Sequence, residues 1–321
     1  MSARLGAAGF HLRVGAAGSG GGRRSHKNNQ QDQQVAVSIA LFGASGTPGG
    51  IMAESPKVIT EVDGHLFTIR INRPAVRNCV DGEAAELLGR AWVRFRDDPE
   101  LWVAILTGTG EEAFCAGADL GAIETLDPTR GARPSQIRRF VHSGEGFMGQ
   151  TRMVDAFKPI VAAINGDALA GGLELACMAD LRIVEEHARL GVACRRFGVP
   201  LCDGGTQRLP RIVGMGRAMD LILTGRFIDA REAHFMGLAN DVVPKGGALE
   251  VARALAARLC EVPQTAMRTD KQAAVTGFGR PLEEGLRLEA GLALWALNDP
   301  DLIEGARAFK ARRAPRYQQG D

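Results

Sequence analysis

The stretch from Ala162 to Asp180 constrains the chain more than any other, reading Ala-Ala-Ile-Asn-Gly-Asp-Ala-Leu-Ala-Gly-Gly-Leu-Glu-Leu-Ala-Cys-Met-Ala-Asp. An apolar run, Ile160 to Ile164, enters a turn at Asn165-Gly166-Asp167, and a glycine pair, Gly171-Gly172, precedes the helix-forming set Leu173, Glu174, Leu175 and Ala176. The pattern predicts strand, turn, helix. Glycine at a helix start lets backbone N–H groups approach a ligand closely, and the unpaired donors there carry partial positive charge. Glu174 falls in the first turn, so its carboxylate lies near whatever those donors hold. A base beside an anion hole is the minimum equipment for moving a proton next to a carbonyl. Taken alone, the stretch is equally compatible with a plain strand–helix turn in which Glu174 only complements the helix dipole.

With 321 residues, the chain has length for one large domain or two smaller ones. A net charge of +2 gives no reason to expect DNA across the surface. The six cysteines, Cys79, Cys115, Cys177, Cys194, Cys202 and Cys260, show no C-x-x-C pair and read as reduced, mostly buried thiols. No metal site is expected. Ile160 to Ala179 carries Asn165, Asp167 and Glu174, so it does not read as a membrane span. Residues 1–51 stand apart as a leader expected to lack order, with Gly18 to Gly22, a polar run from Asn28 to Gln34, and Arg4, Arg13, Arg23, Arg24 and Lys27 before the first acidic residue, Asp32. That composition suits a mitochondrial transit peptide; a start at Met52 would instead suit a cytoplasmic chain.

Folded sequence is expected from Lys57, with Val58 to Val62 and Leu66 to Ile71 flanking the hairpin signal Asp63-Gly64. Asp81 to Arg96 has helical apolar spacing, and Trp102 to Leu106 reads as a buried strand. Ala113 to Leu120 is a tight path of small residues that exposes backbone amides, a second donor site or simply a close-packed loop. Gly131 to Ser135 reads as a loop and Gln136 to Phe157 as one long helix ended by Pro159. Leu181 to Glu185 and Ala188 to Val192 are short strands; Asp203, ahead of Gly204-Gly205, has the position of a helix cap. Helices dominate after Met215, which suggests an α/β core, residues 52–246, and a helical region, residues 247–321.

Three motifs occur in order: Ala-Phe-Cys-Ala-Gly-Ala-Asp-Leu from Ala113, Asn-Gly-Asp-Ala-Leu-Ala-Gly-Gly-Leu-Glu-Leu-Ala from Asn165, and Gly-Gly-Thr-Gln-Arg-Leu-Pro-Arg-Ile-Val-Gly from Gly204. With Asn72-Arg73-Pro74 upstream and Leu223-Thr224-Gly225 downstream, the chain resembles the crotonase (enoyl-CoA hydratase/isomerase) family from about Lys57 to about Arg313. The resemblance implies a spiral of ββα units followed by a C-terminal helical trimerisation region, assembling as a homotrimer or dimer of trimers. It implies an acyl-CoA thioester substrate and no cofactor beyond the coenzyme A that belongs to it. Carried over, the backbone N–H groups of Ala118 and Gly171 form an oxyanion hole for an enolate, and Glu174 is the first of the family's two glutamates. Arg77, Ala116, Gly117, Asp119, Leu120 and Gly172 take the places that meet the substrate.

The second glutamate is missing. Counting from Leu190-Gly191, its place falls to Cys194, whose thiol is a weak replacement for a carboxyl. Asp203, nine residues on, either supplies that acid or caps a helix. The resemblance therefore implies an enoyl-CoA hydratase of fatty-acid β-oxidation type, with an enoyl-CoA isomerase or a catalytically weak acyl-CoA- or RNA-binding protein as alternatives. The basic C-terminus, Arg307, Lys310, Arg312, Arg313 and Arg316, is the feature that favours RNA.

Overall fold

The structure is a computed structural model that describes residues 55–127 and 131–317. The leader, residues 1–51, lies outside the described residues. Strands β1 (Val58–Asp63) and β2 (Leu66–Ile71) pair antiparallel with Asp63 opposite Leu66, so Gly64 and His65 form the two-residue loop. Gly64 takes φ +55, the left-handed conformation that such a turn requires. From β2 the sheet continues in parallel through β3 (Val103–Gly108), β5 (Ile160–Ile164), β7 (Leu181–Glu185) and β10 (Asp241–Val243). A second sheet runs β4 (Ala113–Cys115), β6 (Asp167–Leu169) and β8 (Arg189–Gly191) in parallel, closed by antiparallel β9 (Phe227–Asp229). The pairs β3/β4, β5/β6 and β7/β8 each give one strand to either sheet, so these three stretches of the chain repeat ββ ahead of a helical segment. The crotonase spiral of ββα units follows from this repetition.

Every residue of β3 and of β5 is buried, as parallel strands covered on both faces must be. Alternate side chains separate into two cores. Ile69, Ile71, Ala104, Leu106, Ala162 and Ile164 belong to the core that holds Leu88, Trp92 and Phe95 of helix α1 (Gly82–Asp97). Ile105, Val161, Ala163 and Ile183 face the other way, against Ala248, Ala252 and Ala256. Those alanines recur every fourth residue along a helix, Ala248–Cys260, and form one small-residue face that seats it closely on the sheet. Sequence placed this helix with the C-terminal region; it serves as the outer layer of the core.

The long helix expected from Gln136 to Phe157 is not formed. Helix α2 covers Pro134–His142, and Ser143 then turns extended. Gly144, Gly146 and Gly149 follow, with Gly149 at φ +90 and the Gly146 N–H donating to the Gly149 carbonyl at 2.6 Å. Spaced glycines withdraw helix propensity, and a positive φ stops the helix outright.

Helices α3 (Gly171–Met178), α4 (Gly205–Val213), α5 (Met215–Thr224) and α6 (Ala230–Phe235) follow, then α7, the Ala248–Cys260 helix above. The chain ends in α8 (Gln264–Gly277), α9 (Leu282–Ala296) and α10 (Pro300–Ala311). No residue of α9 is buried, and Leu282, Leu286, Leu294 and Trp295 stand exposed. In the basic tail Arg313 is ion-paired with Glu304 at 2.6 Å. Among the described residues no helix is long and apolar enough to cross a membrane.

Candidate active site

The site lies where the ends of β4 and β6 converge. Beyond Cys115 the chain passes through Gly117 at φ +105, and Ala118 forms a parallel bridge to Val80. In that bridge the Val80 N–H donates to the Gly117 carbonyl (2.9 Å) and the Asp119 N–H to the Val80 carbonyl (2.8 Å). Strand alternation therefore turns the Ala118 N–H away from Val80. At the end of β6, Ala170 takes φ 51, ψ −120 before α3 begins at Gly171. A non-glycine residue in this region costs about 1–3 kcal/mol and persists only when its surroundings hold it. The two segments touch: a side chain at Gly117 would meet the Ala170 Cβ at 2.9 Å and the Gly171 nitrogen at 3.1 Å. Among the described residues neither the Ala118 N–H nor the Gly171 N–H donates to a protein acceptor.

A ladder of ion pairs fixes the first segment. Asp81 caps α1 through the Ala84 N–H and receives Lys57 at 2.8 Å and Arg73 at 3.0 Å; Arg73 also reaches Asp119 at 3.0 Å. Asp119 accepts the Gly121 N–H as well, so its carboxylate is committed to holding the loop, with Leu120 half-buried behind it. The Ala116 N–H donates to the Arg77 carbonyl at 3.0 Å, which ties these two places together. Arg77 lies 3.4 Å from Glu112. Gly172 lies against β4, where a side chain would collide with the Cys115 carbonyl.

Glu174, the fourth residue of α3, is 2% exposed. Its Oε1 accepts the N–H groups of Asp203 (2.9 Å) and Gly205 (2.8 Å). Burial, and next the Asp203 carboxylate, push its pKa up to about 7, against the pull of those amides. Gly205 makes room for this carboxylate, because a side chain there would stand 2.9 Å from Oε1.

Asp203 does not cap the following helix. Gly204, at φ 100, is the N-cap residue of α4, and the Asp203 side chain points back to residues 148–151. Its Oδ1 accepts the Met148 N–H at 3.0 Å and the Thr151 hydroxyl at 2.5 Å. Asp203 is 1% exposed, and burial raises its pKa while the Thr151 hydroxyl works against the rise. Cys194, at the place of the expected second glutamate, is buried in a 3-10 turn, Ala193–Phe197, and burial raises its thiol pKa too. A buried thiol with a raised pKa holds its proton and cannot stand in for a carboxylate.

Sequence reasoning missed Gly146, Met148, Thr151 and Arg208. The first three fall in the segment read as helix, whose glycine spacing was the available signal. Arg208, on α4, donates to the Asp203 carbonyl at 3.1 Å. What converges is two buried carboxyl groups beside two amides without a protein acceptor among the described residues, the parts for proton transfer next to a developing oxyanion.

The enoyl-CoA hydratase/isomerase family profile matches residues 61–320. The chain is 37% identical over 262 residues to (E)-benzylidenesuccinyl-CoA hydratase of Thauera aromatica, covering 81% of this chain and 98% of that one. It is 35% identical over 258 residues to carnitinyl-CoA dehydratase of Salmonella typhi, covering 79% and 95%. A solved enoyl-CoA hydratase from Bacillus anthracis matches with TM-score 0.72 at 35% identity, covering 82% of this chain and 100% of that one. The chain belongs to the enoyl-CoA hydratase/isomerase family, with the crotonase fold. It is a hydratase-like lyase.

Proposed function

We propose that the protein adds water across the double bond of a trans-2-enoyl-CoA, or removes it in the reverse direction, with Glu174 and Asp203 as its acid–base pair. One observation carries this reading: two buried carboxyl groups are joined through the Asp203 N–H on Glu174 Oε1, beside the Ala118 and Gly171 amides, which have no acceptor among the described residues. In the forward direction the water oxygen bonds to the β carbon, and the π electrons pass to the thioester oxygen, giving an enolate held by the Ala118 and Gly171 N–H groups. The water proton goes to one carboxylate while the other carboxyl group delivers a proton to the α carbon. The pair starts and ends with one proton, and transfer between its members resets it. Buried neighbouring carboxyls share a proton in this way, because both cannot be charged cheaply.

Arg77, beside Ala116, is proposed to meet the coenzyme A moiety. The exposed apolar residues of α9 are proposed to be covered by neighbouring subunits in a trimer or dimer of trimers. The test of the activity is loss of thioester-conjugation absorbance on mixing protein with crotonyl-CoA, with the product identified. Formation of the 3-hydroxyacyl thioester supports the reading, and a shifted double bond without water addition replaces it by isomerisation. Absence of turnover across short, long and aryl enoyl-CoAs overturns it.

A further inference from the structure

Each of the two carboxyl groups has one oxygen occupied by two donors. Glu174 Oε1 takes the amides of Asp203 and Gly205, and Asp203 Oδ1 takes the Met148 amide and the Thr151 hydroxyl. Among the described residues the other Asp203 oxygen, Oδ2, has only the Cys202 thiol at 3.7 Å, a weak donor, as hydrogen-bond partner. An oxygen that already accepts two hydrogen bonds is a poor place for a proton, so protonation is directed to its partner. The surrounding backbone is shaped for this arrangement. Gly146 lies so close that a side chain there would collide with both the Thr151 hydroxyl and Asp203 Oδ1. Thr151 itself is fully buried, and its hydroxyl is committed to Asp203.

We propose that Thr151 is a positioning residue for the reaction, and that its hydroxyl, in the space left by Gly146, saturates Asp203 Oδ1 so that proton exchange runs through Oδ2. The proposal rests on the reading of Asp203 as a member of the acid–base pair. It gives the glycine-interrupted segment after α2 a chemical task, since Gly146, Met148 and Thr151 bring the three parts of one carboxylate cradle. The charged and titratable groups facing Asp203 are Glu174 from α3, Arg208 from α4, Arg152 from the segment after α2, the adjacent Cys202, and Cys115 from β4. None of these is altered by substitution at Thr151.

The experiment compares Thr151→Val, Thr151→Ser and Asp203→Asn in the full chain, measuring kcat and KM for crotonyl-CoA hydration from pH 5 to 10, with thermal melting as a folding control. Loss of the hydroxyl removes a donor that favours the ionised carboxylate, so the Asp203 pKa rises and the pH–rate profile of Thr151→Val moves to higher pH. We expect kcat at its optimum to fall about 10- to 100-fold with KM within about twofold, and Thr151→Ser to restore both rate and profile. A Thr151→Val protein with the wild-type rate and profile, beside an inactive Asp203→Asn, overturns the role of Thr151 and leaves the acid–base reading standing. Wild-type turnover by Asp203→Asn overturns the reading itself. If Thr151→Val does not fold, Thr151→Ala takes its place; a melting-temperature loss with an unmoved pH profile marks the threonine as structural and overturns the proposal.

Discussion

Asp203 acts on Glu174 in two opposed ways: its backbone N–H donates to Glu174 Oε1 at 2.9 Å, while its carboxylate charge raises the Glu174 pKa. The amide fixes where the carboxyl group sits, while burial first and the neighbouring charge second push its pKa up and so keep a proton within reach of it near neutral pH. With its pKa raised to about 7, Glu174 changes protonation near neutral pH, which suits the acid–base role proposed for it.

Glu174→Gln is expected to lower kcat at least about 10³-fold, equivalent to roughly 4 kcal/mol of barrier. The same variant should be more stable than the wild type in alkaline solution. The folded-state pKa of Glu174, about 7, lies above its ordinary value of 4.5, so ionisation costs the folded form stability as pH rises through that window. The gain should approach roughly 3 kcal/mol above pH 8 and vanish below pH 4.5, because glutamine keeps an oxygen for the two amides. Urea denaturation at pH 5 and pH 8.5 measures it. Equal stability differences at the two pH values would mean that the wild-type group does not ionise at an unusual pH.

Asp203→Asn is expected to lose activity to a degree comparable with Glu174→Gln while folding normally. Asparagine retains an oxygen for the Met148 amide and the Thr151 hydroxyl, so the cradle survives and only the exchangeable proton goes. A loss of stability without a loss of rate would return Asp203 to a structural role. Cys194→Ser, in contrast, should keep kcat within about threefold, because a thiol whose proton is held by burial takes no part in the exchange.

The strands β3 and β5 were legible because they are apolar runs closed by turn residues, and the start of α3 because Gly171-Gly172 announces it. The glycine-rich helix start and the small-residue path before Leu120 were local signals as well, whereas the donor role proposed for Ala118 and Gly171 came from the family resemblance. Asp203 was visible as a residue and ambiguous as a role. A helix cap is decided by neighbours in sequence, whereas its side chain is held by Met148 and Thr151, more than fifty positions earlier. That contact needs the chain to break its helix after His142, and the apolar residues beyond it, Phe147 and Met148 among them, matched helical spacing well enough to mask the glycines. The place of α7 was hidden for a related reason: alanines at 248, 252 and 256 give little hydrophobic contrast, although their small size is what allows close packing on the sheet.

The two glycines at the head of α3 should respond differently. A side chain at Gly171 meets the Met148 thioether at 2.9 Å, the end of a flexible chain that can move. Gly171→Val is thus expected to fold and to lose turnover, by filling the space beside its own N–H. At Gly172 the obstacle is the Cys115 backbone carbonyl, which cannot yield without shifting β4. Gly172→Ala should cost several kcal/mol, on the order of the larger core substitutions, and melt well below Gly171→Val. Normal kcat in Gly171→Val would remove this amide from the site.

Helix α9 presents Leu282, Leu286, Leu294 and Trp295 to solvent, and Phe309 of α10 is 88% exposed. Isolated exposed apolar residues are ordinary, but four large ones on a single helix favour burial against another subunit. Sedimentation at micromolar concentration should therefore give a trimer or hexamer. Exchanging Leu286 and Trp295 for glutamate puts two charges into that surface, and desolvating an unpaired charge costs several kcal/mol, enough to shift the equilibrium toward monomer. Neither side chain is buried within the subunit, so the fold itself should keep its melting behaviour once dissociation is accounted for. A wild-type chain that sediments as a stable monomer would show that this face is left open, and the helical region would then need another partner to explain its apolar surface.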